Sequence, residues 1–513
     1  MKTSPTARLL SKGLAASLSL TLMIGGCAAL KNDIDESSQL VSTEQSASSS
    51  SSTTSESSTN SAAEASSTES SASTTSSENS ISSSVQRSAI TNSTDGEHAI
   101  EHSAESAHYS HVDVTKTGEA DGDEADFYGA NSAIFATDAA TIDLDDITVT
   151  TNGTHANAVF SYGEESTINV SNSTINTSGN CSGGLMVTGG GTLNASDLTI
   201  HTTGNSSAAI RSDRGGGTET VTGGSYTTDG TGSPVIYSTA DVTVSNATLN
   251  STASQGVVVE GKNSVSLINS DLTASNTTKN SDKSDYYQAV MIYQSMSGDA
   301  AQGEASFSMD GGSLTNKNGD IFFVNNTVAN ISLTNASITN EDEQGVFLRA
   351  AAAGWGSEGS NGGHVTLNAS KQSIQGNLLV DAVSSLNLYL DANSDMTAAI
   401  NPDGQEGEVY VDLSDGATWT LTADSYITSL SCSANAINLN GHTLYVNGEV
   451  YQEGSTSTGE AIVVEVSSNS GHGGDGGMGG TPPEGGHGPG SSGSGSGTSA
   501  GAPSGEPPAK PEG

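Results

Sequence analysis

The sequence predicts an all-β fold, a right-handed parallel β-helix wound as a single-stranded solenoid. Three observations predict it: a recurring apolar patch, a recurring alternating strand, and turn residues at fixed places between them. The patch reads Ala133-Ile134-Phe135, Ala158-Val159-Phe160, Gly184-Leu185-Met186, Ala208-Ala209-Ile210, Pro234-Val235-Ile236 and Gly256-Val257-Val258. Its starts at 133, 158, 184, 208, 234 and 256 give steps of 25, 26, 24, 26 and 22 residues. The strand recurs in the same order, as TIDLDDITV from Thr141, TINVSNSTI from Thr167, TLNASDLTI from Thr192 and DVTVSNATL from Asp241.

Each alternation turns one side of a strand inward. One coil cannot enclose a core, whereas stacked coils bury a continuous one. Asn and Thr at equivalent turns can stack into ladders. Leucine-rich repeats would need recurrent Leu and a helical half-turn, and propeller blades run to about 40–50 residues. Handedness follows from the general preference for right-handed crossovers. Further rungs read as Ala305–Leu314, Ala329–Ile338 and His364–Ile374, interrupted by insertions at Thr277–Gly303 and Ala350–Gly363. About ten to fourteen coils spaced about 4.8 Å apart make a rod of roughly 50–70 Å.

Four regions flank and include this solenoid, which is placed at 106–466. Residues 1–26 carry Lys2, Arg8 and Lys12, then an apolar run from Leu14 to Ile24 that is too short to span a bilayer. The run ends in Ile24-Gly25-Gly26-Cys27, which resembles the lipobox of bacterial lipoproteins. The resemblance implies cleavage before Cys27, lipidation of its thiol, and export to the outer face of a bacterial cell membrane, or of the outer membrane in a Gram-negative cell. Residues 27–105 are expected to be a disordered linker, because the Ser, Thr, Ala and Glu of Ser37 to Ser84 bury too little apolar surface to order it. The Gly-, Ser- and Pro-rich residues 467–513 are expected to be a flexible tail.

Near the end of the solenoid, Trp419, Ser425, Leu430 and Leu439-Asn440-Gly441 resemble the closing rungs of autotransporter passenger β-helices. No membrane β-barrel is expected to follow, and the lipobox lies at the other end, so the resemblance does not extend to secretion mechanism. More broadly, the repeats are similar to bacterial surface adhesins and carbohydrate-binding β-helix proteins. The strand context of Trp419 argues for a buried cap position, and the similarity implies, as partner, a polysaccharide or a host or matrix surface.

Composition limits the function classes. Acidic residues number 58 against 15 basic, a formal charge of −43. Nucleic acid is excluded as a partner, because phosphate contact needs clustered Lys and Arg. Three cysteines, Cys27, Cys181 and Cys432, give no disulfide framework, and the last two read as small core residues. For sugar binding the candidates are aromatics in or beside the insertions, Tyr286, Tyr287, Tyr293 and Trp355, whose rings can stack on a pyranose. Arg211 and Arg214, in IRSDRGGG, are the close basic pair that could meet an acidic sugar. Asp121, Asp123 and Asp126, with Glu119 and Glu124, form an oxygen-rich segment that could hold calcium, although the spacing is not that of an EF-hand. No other cofactor is expected. His98, His102, His108 and His111 cluster at what reads as the linker exit.

The sequence therefore points to a non-catalytic surface lipoprotein for adhesion or polysaccharide binding, membrane-held through its lipid. A β-helix polysaccharide lyase or hydrolase acting on acidic glycans is the alternative. That chemistry needs positioned carboxylates and a basic residue, and Asp143, Asp145 and Asp146 are candidates by type alone. A structural stalk without a specific ligand is the third reading.

Overall fold

The structure, a computed structural model, describes residues 86–464 apart from 280–281 and 405–406. Cys27, the Ser-rich stretch from Ser37 to Ser84 and the Gly-rich tail lie outside the described residues. Three long sheets make up most of the fold, and as far as Gly363–Ser370 each coil donates one strand to each of them; beyond that, sheets of four and three strands take part in the last coils. The first sheet has ten strands, from Ser88–Asn92 to Ser337–Asn340. The second has eleven, from Ile100–Ser103 to Leu378–Val380. The third has fourteen, from Ser106–Ser110 to Ser457–Thr458. As far as Ser385–Leu390, neighbouring strands in each of these sheets are three apart in chain order and parallel, which is the β-helix the alternation predicts.

Register carries the core. On the third sheet Ile142, Ile168, Leu193, Glu219, Val242, Val265, Phe307 and Ile331 pair successively, all pointing inward. Apart from Glu219, each joins one continuous buried apolar cluster that runs from Ile100 to Tyr451. Glu219 sits in a leucine's slot.

Two corners explain why the repeat holds its period. Between the third and first sheets a single residue in the left-handed region turns the chain: Asp146, Asn172, Asp197, Asn246, Asn269 and Asn335, with φ between 46° and 55°. Asn and Asp tolerate that conformation better than other residues with a Cβ. Between the first and second sheets the coils stack on glycine. A Cβ on Gly153, Gly179, Gly204 or Gly230 would fall within 2 Å of the carbonyl oxygen of the glycine one coil back. Three residues after the last three of these glycines, Ser182, Ser207 and Ser233 donate to those same carbonyls, at 2.8, 3.1 and 2.9 Å. Inward-facing Thr177, Thr202 and Thr228 donate to the backbone oxygens of those serines.

The solenoid begins earlier than the sequence boundary at 105/106. Ser88–Asn92 and Ile100–Ser103 already pair in register with the next coil, so the helical rod reaches into the stretch read as linker. Arg87 staples this first coil: Nε and Nη1 each lie 2.7 Å from a carboxylate, Asp113 one coil on and Asp146 at the next corner. Nη2 also donates to the Val112 carbonyl and the Thr148 hydroxyl. The first insertion is shorter than read, because Gln288–Tyr293 is a regular strand of the second sheet.

At the far end, parallel winding stops. Tyr445 and Val446 pair antiparallel with Val450 and Glu449, and Ser431 and Cys432 pair antiparallel with Thr458 and Ser457. Trp419 is fully buried there, its Nε1 donating to the Ala398 carbonyl at 3.0 Å, as its strand context predicts.

Candidate functional site

The outer faces of the sheets differ, and two of them carry the residues of interest. On the second sheet, the insertions and the short helix Asp123–Phe127 lie against the outward side chains. Tyr293 and Trp355 are 7% and 6% exposed and meet edge to face at 5.2 Å, packed with Val258, Met291 and Phe323. Tyr286 is half-buried between Phe323 and the Arg349 guanidinium, which stands 4.1 Å over its ring. Tyr287 is half-buried, and its carbonyl oxygen accepts from the Asp320 amide. The structure thus corrects the exposed stacking platform expected of these four rings. Tyr286, Tyr293 and Trp355 are spent on holding the insertions to the rod, because a large apolar ring gains more from burial than from water.

Beside them lies a buried polar network. Arg211 donates to Asp213 at 2.9 Å, and both are under 5% exposed. Arg214 stacks its guanidinium 3.8 Å over Phe127, pairs with Asp299 at 2.9 Å, and reaches exposed Asp123 at 3.5 Å. Burial, reinforced by Asp299, pushes the Asp213 carboxyl up to about 7, with Arg211 pulling the other way. Glu260 accepts from the Tyr237 hydroxyl at 2.6 Å, the Tyr293 hydroxyl at 3.0 Å and the Ser295 hydroxyl. Burial raises its carboxyl above the usual range despite these donors. Arg211 and Arg214 are therefore drawn together as the sequence suggests, but their partners are the chain's own carboxylates.

The three aspartates named for calcium do not converge. Asp123 points outward to Arg214, whereas Asp126 is buried 2.8 Å from His155 Nε2. His155 and Cys181 occupy the same left-handed corner position in successive coils. An oxygen of Asp126, a nitrogen of His155 and the Cys181 sulfur consequently lie within 4.8 Å of one another. Cys181 is 2% exposed, in keeping with its reading as a small core residue. The four histidines at 98–111 do not form a site either. His98 stacks on Phe135, His102 bonds the Tyr109 hydroxyl and His111 bonds Asp146, all within the first coils.

The third sheet presents the open face. Its outward rows stay in register across many coils. One runs His108, Asp143, Asn169, Asn194, Thr220, Thr243, Ser266, Ser308, Ser332, Asn368 and Tyr389. Beside it runs Asp145, Ser171, Ser196, Thr222 and Ser245. Between the two rows, from His108 to Thr222, lies a shallow open groove of about 400 Å³. Its amides are aligned: Asn194 donates to Asn169 at 2.9 Å, and Asn169 donates to Asp143 at 2.8 Å. Each asparagine keeps a second N–H for a ligand, and hydroxyls flank the row. Such an array suits polyhydroxylated molecules, whose groups need donors and acceptors side by side.

The far end of the row carries a feature that sequence reasoning missed. Tyr389 is half-exposed and meets Tyr410 edge to face at 5.7 Å. The alternation in LNLYL places Tyr389 outward, so the signal was present once the register was known. Beyond it the face closes. The side-chain amide of Asn387 makes two hydrogen bonds to the backbone of Ile462, laying the chain's last described segment over the sheet. No family model, curated protein or solved structure matches this chain.

Proposed function

We propose that this chain is an exported lipoprotein, anchored through Cys27, whose β-helix binds polysaccharide without chemical change along the outer face of the third sheet. The observation that carries this reading is the in-register row of amides, hydroxyls and carboxylates bordering the groove. Coils spaced about 4.8 Å apart repeat the same polar groups at a distance of the order of one sugar unit. A polymer can then gain many weak contacts at once, each costing little pre-organisation because the sheet fixes the side chains.

A glycan array probed with the full chain tests it. Retention of at least one polymeric glycan is expected, with loss of about tenfold or more in Asn169→Leu/Asn194→Leu, about 1.4 kcal/mol. Binding indifferent to that pair, or no glycan retained, rejects the face. The anchor is tested separately by metabolic labelling with a fatty acid, which Cys27→Ser should abolish. Cys27 found in a disulfide instead of a thioether would reject lipidation.

A second reading, a hydrolase or lyase, is favoured by the buried Asp213 and Glu260 beside Arg211, because functional sites collect carboxylates with raised affinity for protons. Against it, Arg211 and Asp213 are sealed beneath the insertions. Release of reducing or unsaturated ends from an acidic glycan, lost in Asp213→Asn, would establish it.

A further inference from the structure

The charges of the groove narrow the ligand. Asp143 and Asp145 stand two residues apart on one strand, on the same outward side, about 7 Å apart by strand geometry. Asp146, next along the chain, is compensated by Arg87 at 2.7 Å and hydrogen-bonded to His111 at 2.6 Å. Asp143 and Asp145 have no such partner in the groove. Asp143 accepts from Asn169, and Asp145 accepts from Ser171 and Asn172, all neutral donors. Those donors hold the Asp145 carboxyl below its usual range, so it stays ionised in mildly acidic solution. Among the residues lining the groove only His108 can carry positive charge, and the whole chain is at −43. A polyuronate approaching this face meets repulsion at every scale, whereas an ammonium finds two carboxylates at one end of a row of sugar-sized polar steps.

Resting on the polysaccharide reading above, we infer that the groove selects a glycan bearing free amino groups, with a protonated sugar amine seated between Asp143 and Asp145. Hydroxyls of the following units take the amides of Asn169 and Asn194. An exposed ion pair contributes up to about 1 kcal/mol, so two carboxylates on one amine give a preference of about tenfold at low salt.

The test is calorimetric binding of the full chain to three tetramers at pH 6 and low ionic strength: glucosamine, N-acetylglucosamine and galacturonate. The glucosamine oligomer is expected to bind about tenfold tighter than its N-acetylated counterpart, and galacturonate weakest. The preference should shrink as salt is raised, and fall to within about twofold in Asp143→Asn/Asp145→Asn. Should that double variant bind neither oligomer, the preference must persist in Asp145→Glu and vanish in Asp145→Asn. Equal affinity for the amino and N-acetyl oligomers overturns the inference and leaves the polysaccharide reading standing. A preference that survives neutralisation of both aspartates, or that EDTA abolishes, overturns it as well. Failure of all three oligomers, together with an empty glycan array, removes the underlying reading with it.

Discussion

Glu219 is the residue at which the rod departs furthest from its own pattern. It takes the inward slot held by Leu193 one coil back and Val242 one coil on, and neither carboxyl oxygen has a hydrogen-bond partner. Burial alone pushes its proton affinity well above the usual carboxylate range, so the folded chain keeps it neutral. In the unfolded chain it ionises above about pH 4.3. The folded value being the higher one, stability is unaffected below that pH and falls by about 1.4 kcal/mol per unit above it, until the folded value is reached. Asp213, held up to about 7, adds a loss of the same sign that ends near that pH. Glu219→Leu should therefore raise stability more at pH 7 than at pH 4.5. Urea midpoints at the two pH values measure this, and an equal gain at both would contradict it. The same residue shows where the sequence became unreadable. TETVT from Thr218 is the strand of its coil, but a glutamate in the leucine position breaks the alternation that made its neighbours recognisable.

At the level of the coil, the corners set the period. Gly204→Ala would place a methyl 1.8 Å from the Gly179 carbonyl oxygen, so the stack must open there. A cost of at least about 2 kcal/mol is expected. Gly96→Ala is the control: it has a positive φ and no neighbour within 4 Å, and should cost about 1 kcal/mol from backbone conformation alone. Thermal melts rank the two, and equal losses would mean that the stacked carbonyls are not what excludes a side chain. At the opposite corner, Asn172→Gly should be nearly silent and Asn172→Val should cost about 1–2 kcal/mol, because a β-branched residue resists a φ of 50°. These elements were legible in advance: the patches fall on the second sheet, the TINVS-type strands on the third, and the Asn and Asp between them on the left-handed corner. The insertions were legible only as interruptions. Gln288–Tyr293 is a full strand, yet QAVMIY is buried on both faces and so lacks alternation. For the same reason Tyr293 and Trp355 read as free rings. Sequence shows that an aromatic lies outside the repeat, but not that a folded-back loop covers it.

For the whole molecule, the two ends are built differently. The last coils are closed by antiparallel strands, with Tyr451 packed into the core cluster. Ending the chain at residue 442 removes that closure and bares the edges of two sheets, which are ready templates for pairing. Such a chain is expected to keep its β content by circular dichroism and to associate, seen by light scattering, whereas a monodisperse monomer would show that the cap is dispensable. The candidate face was the least legible part of the molecule in its sequence. Asn169, Asn194 and Thr220 look like any solvated positions until the register stacks them, and a row 25 residues apart in the chain becomes adjacent only in three dimensions.

The Arg87 staple has a mechanical consequence. Backbone hydrogen bonds in a β-helix run along its axis, so tension on that axis loads them in series and unzips one coil at a time, starting where the force enters. Force arriving through residue 86 meets, before any strand can peel, a guanidinium fastened to Asp113 and Asp146 on the coils behind. Pulling from that end must break those contacts together instead of singly. Arg87→Ala should lower the rupture force of the first coil while leaving the bulk melting temperature nearly unchanged, since forced opening follows the local barrier and not the total stability.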